Sequence, residues 1–140
     1  MMARASKLKA RRDEFTPIIA TAFAELGYRR ATTAELARRC GVQETILYRI
    51  WPDKKAMFLA VIEFVYDASR ETWGRILAEA DQARGARTIL EYEADHHGEF
   101  GLYRIVFAGL SEVDEPEIRK TLKKMYSRFH RFVRDQIDAH

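Results

Sequence analysis

Apolar residues recur at every third or fourth position along most of the chain, as they do on one face of an amphipathic helix. No segment shows the strict alternation of apolar and polar residues that marks a half-buried strand, and no unit repeats with a period of roughly 20 to 50 residues. The pattern therefore predicts an all-α protein.

The first third of the sequence predicts three helices. The first is expected to begin near Asp13 or at Thr16-Pro17, where a capping residue precedes a proline, and to end at Gly27. Residues 1–12 contain few apolar side chains and predict a mobile basic arm, with positive charges at Arg4, Lys7, Lys9, Arg11 and Arg12.

The second predicted helix has a clear start and a clear end. Thr32 and Glu35 have the spacing of a capping box, in which each side chain accepts a hydrogen bond from the other residue's backbone N–H. Gly41 can adopt the left-handed conformation that ends a helix in a sharp turn. A third, short helix is then expected from Gln43 to Ile50.

The remaining sequence predicts four more helices. The segment 51–53 interrupts the chain, and Asp53 is expected to cap a helix of roughly 25 residues that begins at Lys54. Further helices are expected over 87–97, 99–111 and 115–138. The helix over 99–111 is apolar on every side and is expected in the middle of a bundle, whereas the last helix has one inward apolar stripe.

Charge is distributed unevenly along the 140 residues. Residues 1–55 carry 12 Lys and Arg against 6 Asp and Glu, and residues 56–140 carry 12 against 15, so the net charge of +3 conceals a basic first third. This favours an anionic partner such as duplex DNA at the N-terminal end, with an ordinary solvated basic surface as an equal alternative.

Composition narrows the class of protein further. The chain is 47% hydrophobic and 32% charged, as in a folded protein, and no apolar run reaches the roughly 18 residues that cross a bilayer. Its single cysteine, Cys40, cannot form an intramolecular disulfide, so we expect a cytoplasmic protein without membrane association. Paired catalytic carboxylates, a nucleophile with its base and a glycine-rich phosphate loop are not recognisable, so neither an enzyme nor a cofactor is expected.

The two short helices on either side of Gly41 form a helix-turn-helix pattern, preceded by a stabilising helix. In this motif the second short helix lies in the major groove of DNA and reads the bases with its exposed side chains. Here Ile46 or Leu47 would pack that helix inward, and the hydroxyl of a semi-buried Tyr48 could reach a phosphate. The expected base-reading residues are Gln43, Glu44, Thr45 and Arg49.

Over about residues 13–60 the sequence resembles the N-terminal signature of the TetR family of bacterial transcriptional regulators. The resemblance rests on Gly27-Tyr28, Thr32-Thr33, Leu36-Ala37, Cys40-Gly41-Val42, Leu47-Tyr48 and Trp51-Pro52-Asp53-Lys54-Lys55. It implies phosphate contacts from Thr33, Tyr48 and Lys54, and base contacts from the start of the third helix and from Arg49. The positive end of the following helix would also attract a phosphate to Lys54.

The sequence departs from the family pattern at two positions. Gln43 is a weaker cap than the usual small polar residue, and Ile46 stands where a hydroxyl residue commonly contacts a phosphate, so one backbone contact is expected to be missing. Cys40 is expected to be a buried filler rather than a redox sensor, and Trp51 a core residue beneath the turn.

Residues 57–140 resemble the family in helical layout only, which implies an effector-binding and dimerisation body. In the family two more helices follow the one that corresponds to 115–138, so the body is expected to be incomplete at its C-terminus. Aromatic and polar residues on the central helices would line an effector pocket or, alternatively, form ordinary bundle core: Phe64, Trp73, Tyr92, His96, Tyr103, Phe107, Met125 and Phe129.

The adjacent pair His96-His97 raises the question of a metal site. Neighbouring side chains on a helix point about 100 degrees apart, so both cannot bind one ion without a second segment such as His130. A metal site is therefore not expected, and a small helical metal enzyme is the weakest alternative.

The sequence thus predicts a basic arm at 1–12, a helix-turn-helix DNA-binding domain at 13–56 and a helical body at 57–140. The resemblance implies a homodimeric repressor that binds double-stranded operator DNA and is released by a small-molecule effector. The alternative is an all-helical small-molecule-binding or interaction protein without specific operator binding.

Overall fold

The computed structural model describes residues 2–79, 85–96 and 102–138, with the side chains of 2–4, 79, 86, 90, 93, 96, 102, 103, 107, 136 and 137 outside the description. Within these ranges every regular element is a helix, which confirms the all-α prediction. The helices are α1 (Met2–Arg30), α2 (Thr33–Cys40), α3 (Glu44–Ile50), α4 (Lys54–Glu79), α5 (Gly85–His96), α6 (Leu102–Leu110) and α7 (Pro116–Asp138).

Helix α1 is longer than the sequence pattern predicted. It begins at Met2, so the expected start near Asp13 or at Thr16-Pro17 was wrong, and residues 2–12 are helical where a mobile arm was expected. Alanine, lysine and arginine are strong helix formers, and Leu8 packs against the core from within this segment. Pro17 accordingly lies inside the helix and not at its first position.

Gly27 ends the regular part of α1, as predicted. Its backbone angles, φ 80 and ψ 171, lie in a region that is essentially restricted to glycine. The chain turns there and brings Tyr28 back onto the core, with ring centroids 6.2 Å from Phe23 and 5.1 Å from Phe58.

Helix α4 is the centre of the fold and contacts α1, α5, α6 and α7. One apolar core joins α4 to the three N-terminal helices, and its fully buried side chains include Phe23, Leu36, Leu47 and Phe58. Trp51 is 5% exposed and belongs to this core, as expected for the residue beneath the turn. Because α6 also contacts α1, the head and the body pack directly against each other.

Helix α6 is less buried than its apolar sequence suggested. Ile105 is fully buried, whereas Val106 is half-buried and Leu110 is 52% exposed, so the expectation of a helix buried on every side was wrong. Its contacts are with α1, α4 and α7, which together cover one side of a nine-residue helix. The expected pocket residues Tyr103 and Phe107 have side chains outside the described set.

Helix α7 buries its first half more completely than its second. Ile118 and Leu122 are buried, Met125 is half-buried, and further along the helix three apolar side chains are exposed. These three, Tyr126, Phe129 and Val133, are spaced by three and four residues and so form one line along the helix, here called the α7 apolar stripe.

Candidate nucleic-acid interface

The turn between α2 and α3 has the geometry of a Schellman motif. Gly41 is left-handed, at φ 72 and ψ 28, and its N–H donates to the carbonyl of Arg38 at 3.0 Å. The N–H of Val42 donates to the carbonyl of Ala37, also at 3.0 Å. These two bonds satisfy the free carbonyls at the end of α2 and fix the direction in which α3 leaves, as the sequence predicted from Gly41.

The predicted capping box at the start of α2 is only half formed. The hydroxyl of Thr32 accepts a hydrogen bond from the N–H of Glu35 at 3.2 Å. The Glu35 carboxylate does not return to Thr32, because it accepts hydrogen bonds from Arg38 at 2.7 and 2.9 Å and from Arg39 at 3.1 Å. These two guanidinium groups lower the pKa of Glu35 to about 2.

A hydrogen-bonded chain of three side chains links α2 to α3. The hydroxyl of Tyr48 donates to the hydroxyl of Thr33 at 3.0 Å, and Thr33 donates to the Glu44 carboxylate at 2.8 Å. The two predicted phosphate contacts Thr33 and Tyr48 therefore lie side by side, and Tyr48 is 44% exposed, more than a semi-buried ring would be. Glu44, predicted to read bases, is half-buried and holds this chain together.

The outward face of α3 carries the other predicted base-reading residues. At 100 degrees per residue, Thr45, Tyr48 and Arg49 share one side, and all three are exposed. Leu47 is fully buried and Ile46 is half-buried against the core, so both contribute to seating the helix.

Gln43 lies at the start of α3 with its side chain exposed. That side chain makes no capping hydrogen bond to the helix, in agreement with the expected weak cap. Its amide group is therefore not tied to the helix start and lies beside the exposed side of α3.

Lys54 lies at the start of α4 and is held by the turn that follows Gly27. Its ammonium group donates to the carbonyl of Tyr28 at 2.8 Å and lies 4.4 Å from the centre of the Tyr28 ring. Partial burial lowers the pKa of Lys54. Sequence reasoning missed this internal partner, although Tyr28 and Lys54 both belong to the motif that signalled the head.

Asp53 caps α4, as predicted. Its carboxylate accepts a hydrogen bond from the N–H of Ala56 at 2.8 Å, and its backbone carbonyl accepts one from the N–H of Met57. The positive end of α4 is therefore already in contact with one negative side chain of the protein.

Cys40 has the environment of a packing residue. The thiol is half-buried against the core, and burial, followed by the nearby charge of Glu14, raises its pKa to about 11. Because the thiolate is the reactive form, the thiol is a poor nucleophile at neutral pH, which supports the expected role as a filler.

The predicted pocket residues are only partly brought together. The Trp73 ring is buried and lies 5.2 Å from the Phe129 ring, between α4 and α7, while Phe64, Tyr92 and Met125 are half-buried. The side chain of His96, like those of Tyr103 and Phe107, lies outside the description. The clefts that the described residues form, of about 480, 320 and 310 Å³, lie at other places on the surface.

No metal site or membrane span is found in the part of the chain that the structure describes. Within it, no group of three or more His, Cys, Asp and Glu side chains could hold an ion. His97 lies outside the described residues, and His130 is exposed beside the Tyr126 ring. None of the described helices combines the length and the apolar character needed to cross a membrane.

The helix-turn-helix geometry defines the class: this is a helix-turn-helix protein with a helical body. The family model for bacterial regulatory proteins of the tetR family matches residues 19–61, which span α2, α3 and the core that supports them. The chain belongs to this family, as the resemblance in sequence implied, and the family is one of regulators and not of enzymes.

Curated relatives extend the similarity beyond the head. The nucleoid occlusion factor SlmA of Vibrio vulnificus strain YJ016 is 32% identical over 126 residues, which cover 88% of this chain and 64% of the relative. That of Aliivibrio fischeri strain MJ11 is 31% identical over 121 residues, covering 84% and 62%. That of Photobacterium profundum is 42% identical over 66 residues, covering 46% and 34%. The chain spans less than two thirds of the length of these relatives.

Proposed function

We propose that this protein is a DNA-binding transcriptional regulator that inserts α3 into the major groove. The observation that carries this proposal is the turn at Gly41, which holds α3 on α2 with Thr45 and Arg49 facing outward. Thr33 and Tyr48 lie beside this face, where they can contact a phosphate of the same groove.

We further propose that the protein acts as a homodimer on a partly palindromic operator. The α7 apolar stripe supports this, because exposed apolar side chains aligned on one helix are typical of a surface that pairs with another copy. Two heads would then contact half-sites about one helical turn, roughly 34 to 36 Å, apart.

The regulatory mode that we propose is repression, relieved by a small apolar or aromatic effector that shifts the body. Trp73, Phe129 and Phe132 form an aromatic cluster between α4 and α7, in which an effector of this kind could be bound. Since α4 and α6 both contact α1, a change in the body can be transmitted to the head.

Selection of bound duplexes from a random pool tests the proposal. We expect enrichment of a two-fold-related sequence, and we expect Arg49→Ala to lose about 1 to 3 kcal/mol at a single base position and to relax the preference there. Equal losses on operator and random DNA would instead place Arg49 on a phosphate. Undetectable or salt-insensitive DNA binding, together with tight binding of a small molecule, would favour a ligand-binding protein without operator recognition.

The relatives named above favour a second candidate, a role in nucleoid occlusion. The two roles differ in where the protein binds the chromosome and in what its deletion changes. Binding sites next to genes whose transcript levels change on deletion would support the regulator, whereas many sites without such changes would support nucleoid occlusion. Either role places the protein in the cytoplasm with the chromosome.

A further inference from the structure

A cleft of about 310 Å³ separates the beginning of α1 from α3. It is lined by Lys7, Leu8, Arg11, Ile46 and Arg49, which we call the α1–α3 basic cleft. It joins the N-terminal segment, which the sequence presented as a basic arm, to the helix proposed to enter the major groove.

The two apolar residues of the cleft fix its geometry. Leu8 on α1 and Ile46 on α3 are both partly buried and packed against the core, so the two helices are anchored at this point. Lys7 and Arg11 are four residues apart and therefore lie on the same side of α1, one turn from each other. Both are exposed, as is Arg49 on the facing helix.

The charge of the cleft is not neutralised by its lining, since three of its five residues are cationic and none of the five is acidic. Cations elsewhere on the head are paired: Arg29 with Glu112, Arg39 with Glu25 and Glu35, and Lys55 with Glu115 and Glu117. No ion pair among the described residues involves a cation of the basic cleft. A concave surface of this kind has a strong positive potential.

We propose that Lys7 and Arg11 form a second DNA contact, in which the α1–α3 basic cleft binds phosphates of the strand that borders the groove occupied by α3. The proposal rests on the proposed function and extends it to a segment outside the residues that match the family model. Duplex DNA is the partner because the cleft is continuous with the outward face of α3 through Arg49, and because its charge matches a phosphate backbone.

The test is the salt dependence of binding for the double variant Lys7→Ala/Arg11→Ala. Each lost phosphate contact lowers the slope of log K against log salt by about 0.9, so two lost contacts lower it by about 1.8. Between about 50 and 200 mM salt, the loss of affinity should then be roughly tenfold smaller than for the wild type. The change should be the same on operator and on random DNA, because phosphates carry no sequence information.

Lys120→Ala/Lys123→Ala is the matched control, since it removes two exposed lysines from α7, on the body, and leaves the same net charge. Alanine preserves the helix in both variants, and thermal unfolding followed by circular dichroism checks this. A wild-type slope in Lys7→Ala/Arg11→Ala, or an equal fall in the control, would overturn the proposal.

Leu8→Ala tests whether the cleft is a built feature, because it keeps both charges and removes the apolar anchor. We expect a flatter slope here too, smaller in size than for the double variant. A wild-type slope for Leu8→Ala would overturn the anchored cleft. If the wild-type protein binds no duplex DNA, the proposed function itself fails; if Arg49→Ala shows its base-specific loss while the Lys7→Ala/Arg11→Ala slope is unchanged, only this inference fails.

Discussion

Thr33, Tyr48 and Lys54 each have a partner inside the protein, and those partners determine how each residue can bind a phosphate. The hydroxyls of Thr33 and Tyr48 can rotate, so both can turn from Glu44 and from each other toward a phosphate oxygen. The ammonium group of Lys54 has three N–H donors, so it can keep its bond to the Tyr28 carbonyl and still donate outward.

Substitution of Lys54 and Tyr48 should separate charge from hydrogen bonding. Lys54→Ala is expected to lower the salt slope by about one unit, because it removes one phosphate charge pair. Tyr48→Phe is expected to weaken binding by about three- to tenfold, the factor that corresponds to one hydrogen bond of about 0.7 to 1.4 kcal/mol, with an unchanged slope. Fluorescence anisotropy with operator and random duplexes at several salt concentrations measures both.

Lys54→Ala needs a stability control, because Lys54 also bonds to Tyr28 within the head. Thermal unfolding shows whether the variant is folded at the temperature of the binding assay. Wild-type affinity and slope in both variants would contradict these two phosphate contacts.

Tyr66 has a buried hydroxyl without a hydrogen-bond partner among the described residues. Burial raises its pKa, and the guanidinium group of Arg128 lies 4.7 Å from the centre of its ring. Since an unsatisfied buried hydroxyl is unfavourable, Tyr66→Phe should leave the free energy of unfolding unchanged or raise it by up to about 1 kcal/mol. Urea denaturation measures this, and a loss above 1 kcal/mol would show that the hydroxyl has a partner.

At the scale of the element, the helix ends depend on glycines whose conformations differ. Gly41 is left-handed, which asparagine and some other residues tolerate, whereas Gly27 lies in a region that only glycine populates readily. Gly74 lies within α4 in an ordinary helical position. An added Cβ would meet no atom within 4 Å at any of the three positions, so substitutions there report backbone strain alone.

The three alanine substitutions should therefore rank by backbone conformation. Gly27→Ala is expected to lower the free energy of unfolding by about 1 to 3 kcal/mol. Gly41→Ala should lower it by about 1 to 2 kcal/mol, and Gly74→Ala should raise it by about 0.5 to 1 kcal/mol. Urea denaturation of the three proteins gives the order, and equal effects at Gly27 and Gly74 would contradict the assigned conformation of Gly27.

Local signals in the sequence were sufficient for most helix boundaries. Gly27, Gly41 and Asp53 act through their own backbone or their nearest N–H groups, so their effects were predictable without tertiary structure. The start of α1 was missed because it depends on Leu8 packing against residues distant in sequence. The apolar spacing of Leu8 from Phe15 and Ile19, seven and eleven residues, was the available signal.

The internal partners of the candidate site were not predictable from local pattern. The Thr33–Glu44 and Lys54–Tyr28 contacts join residues 11 and 26 positions apart, and they exist only once the helices have packed. Similarly, the capping box failed at Glu35 because Arg38 and Arg39 compete for its carboxylate more strongly than a backbone N–H does.

At the scale of the molecule, the charge difference between head and body becomes a set of contacts. Glu112, between α6 and α7, pairs with Arg29 at 2.9 Å, and Glu115 and Glu117 lie 3.8 and 3.4 Å from the ammonium group of Lys55. The body thus neutralises cations on the inner side of the head. The α1–α3 basic cleft and Arg49 remain outside this network, which confines the unpaired positive charge to the proposed DNA side.

The α7 apolar stripe predicts that two copies of the chain associate in solution. Sedimentation at several concentrations should give a mass near twice 16.3 kDa. Tyr126→Ser/Val133→Ser should shift it toward the monomer, because two of the exposed apolar groups of the stripe are lost. Lys120→Ser/Asp135→Ser, at exposed positions on other sides of α7, should leave the mass unchanged. A wild-type mass near 16.3 kDa would show that these residues lack a dimer interface, and a dimer in Tyr126→Ser/Val133→Ser would place the interface elsewhere.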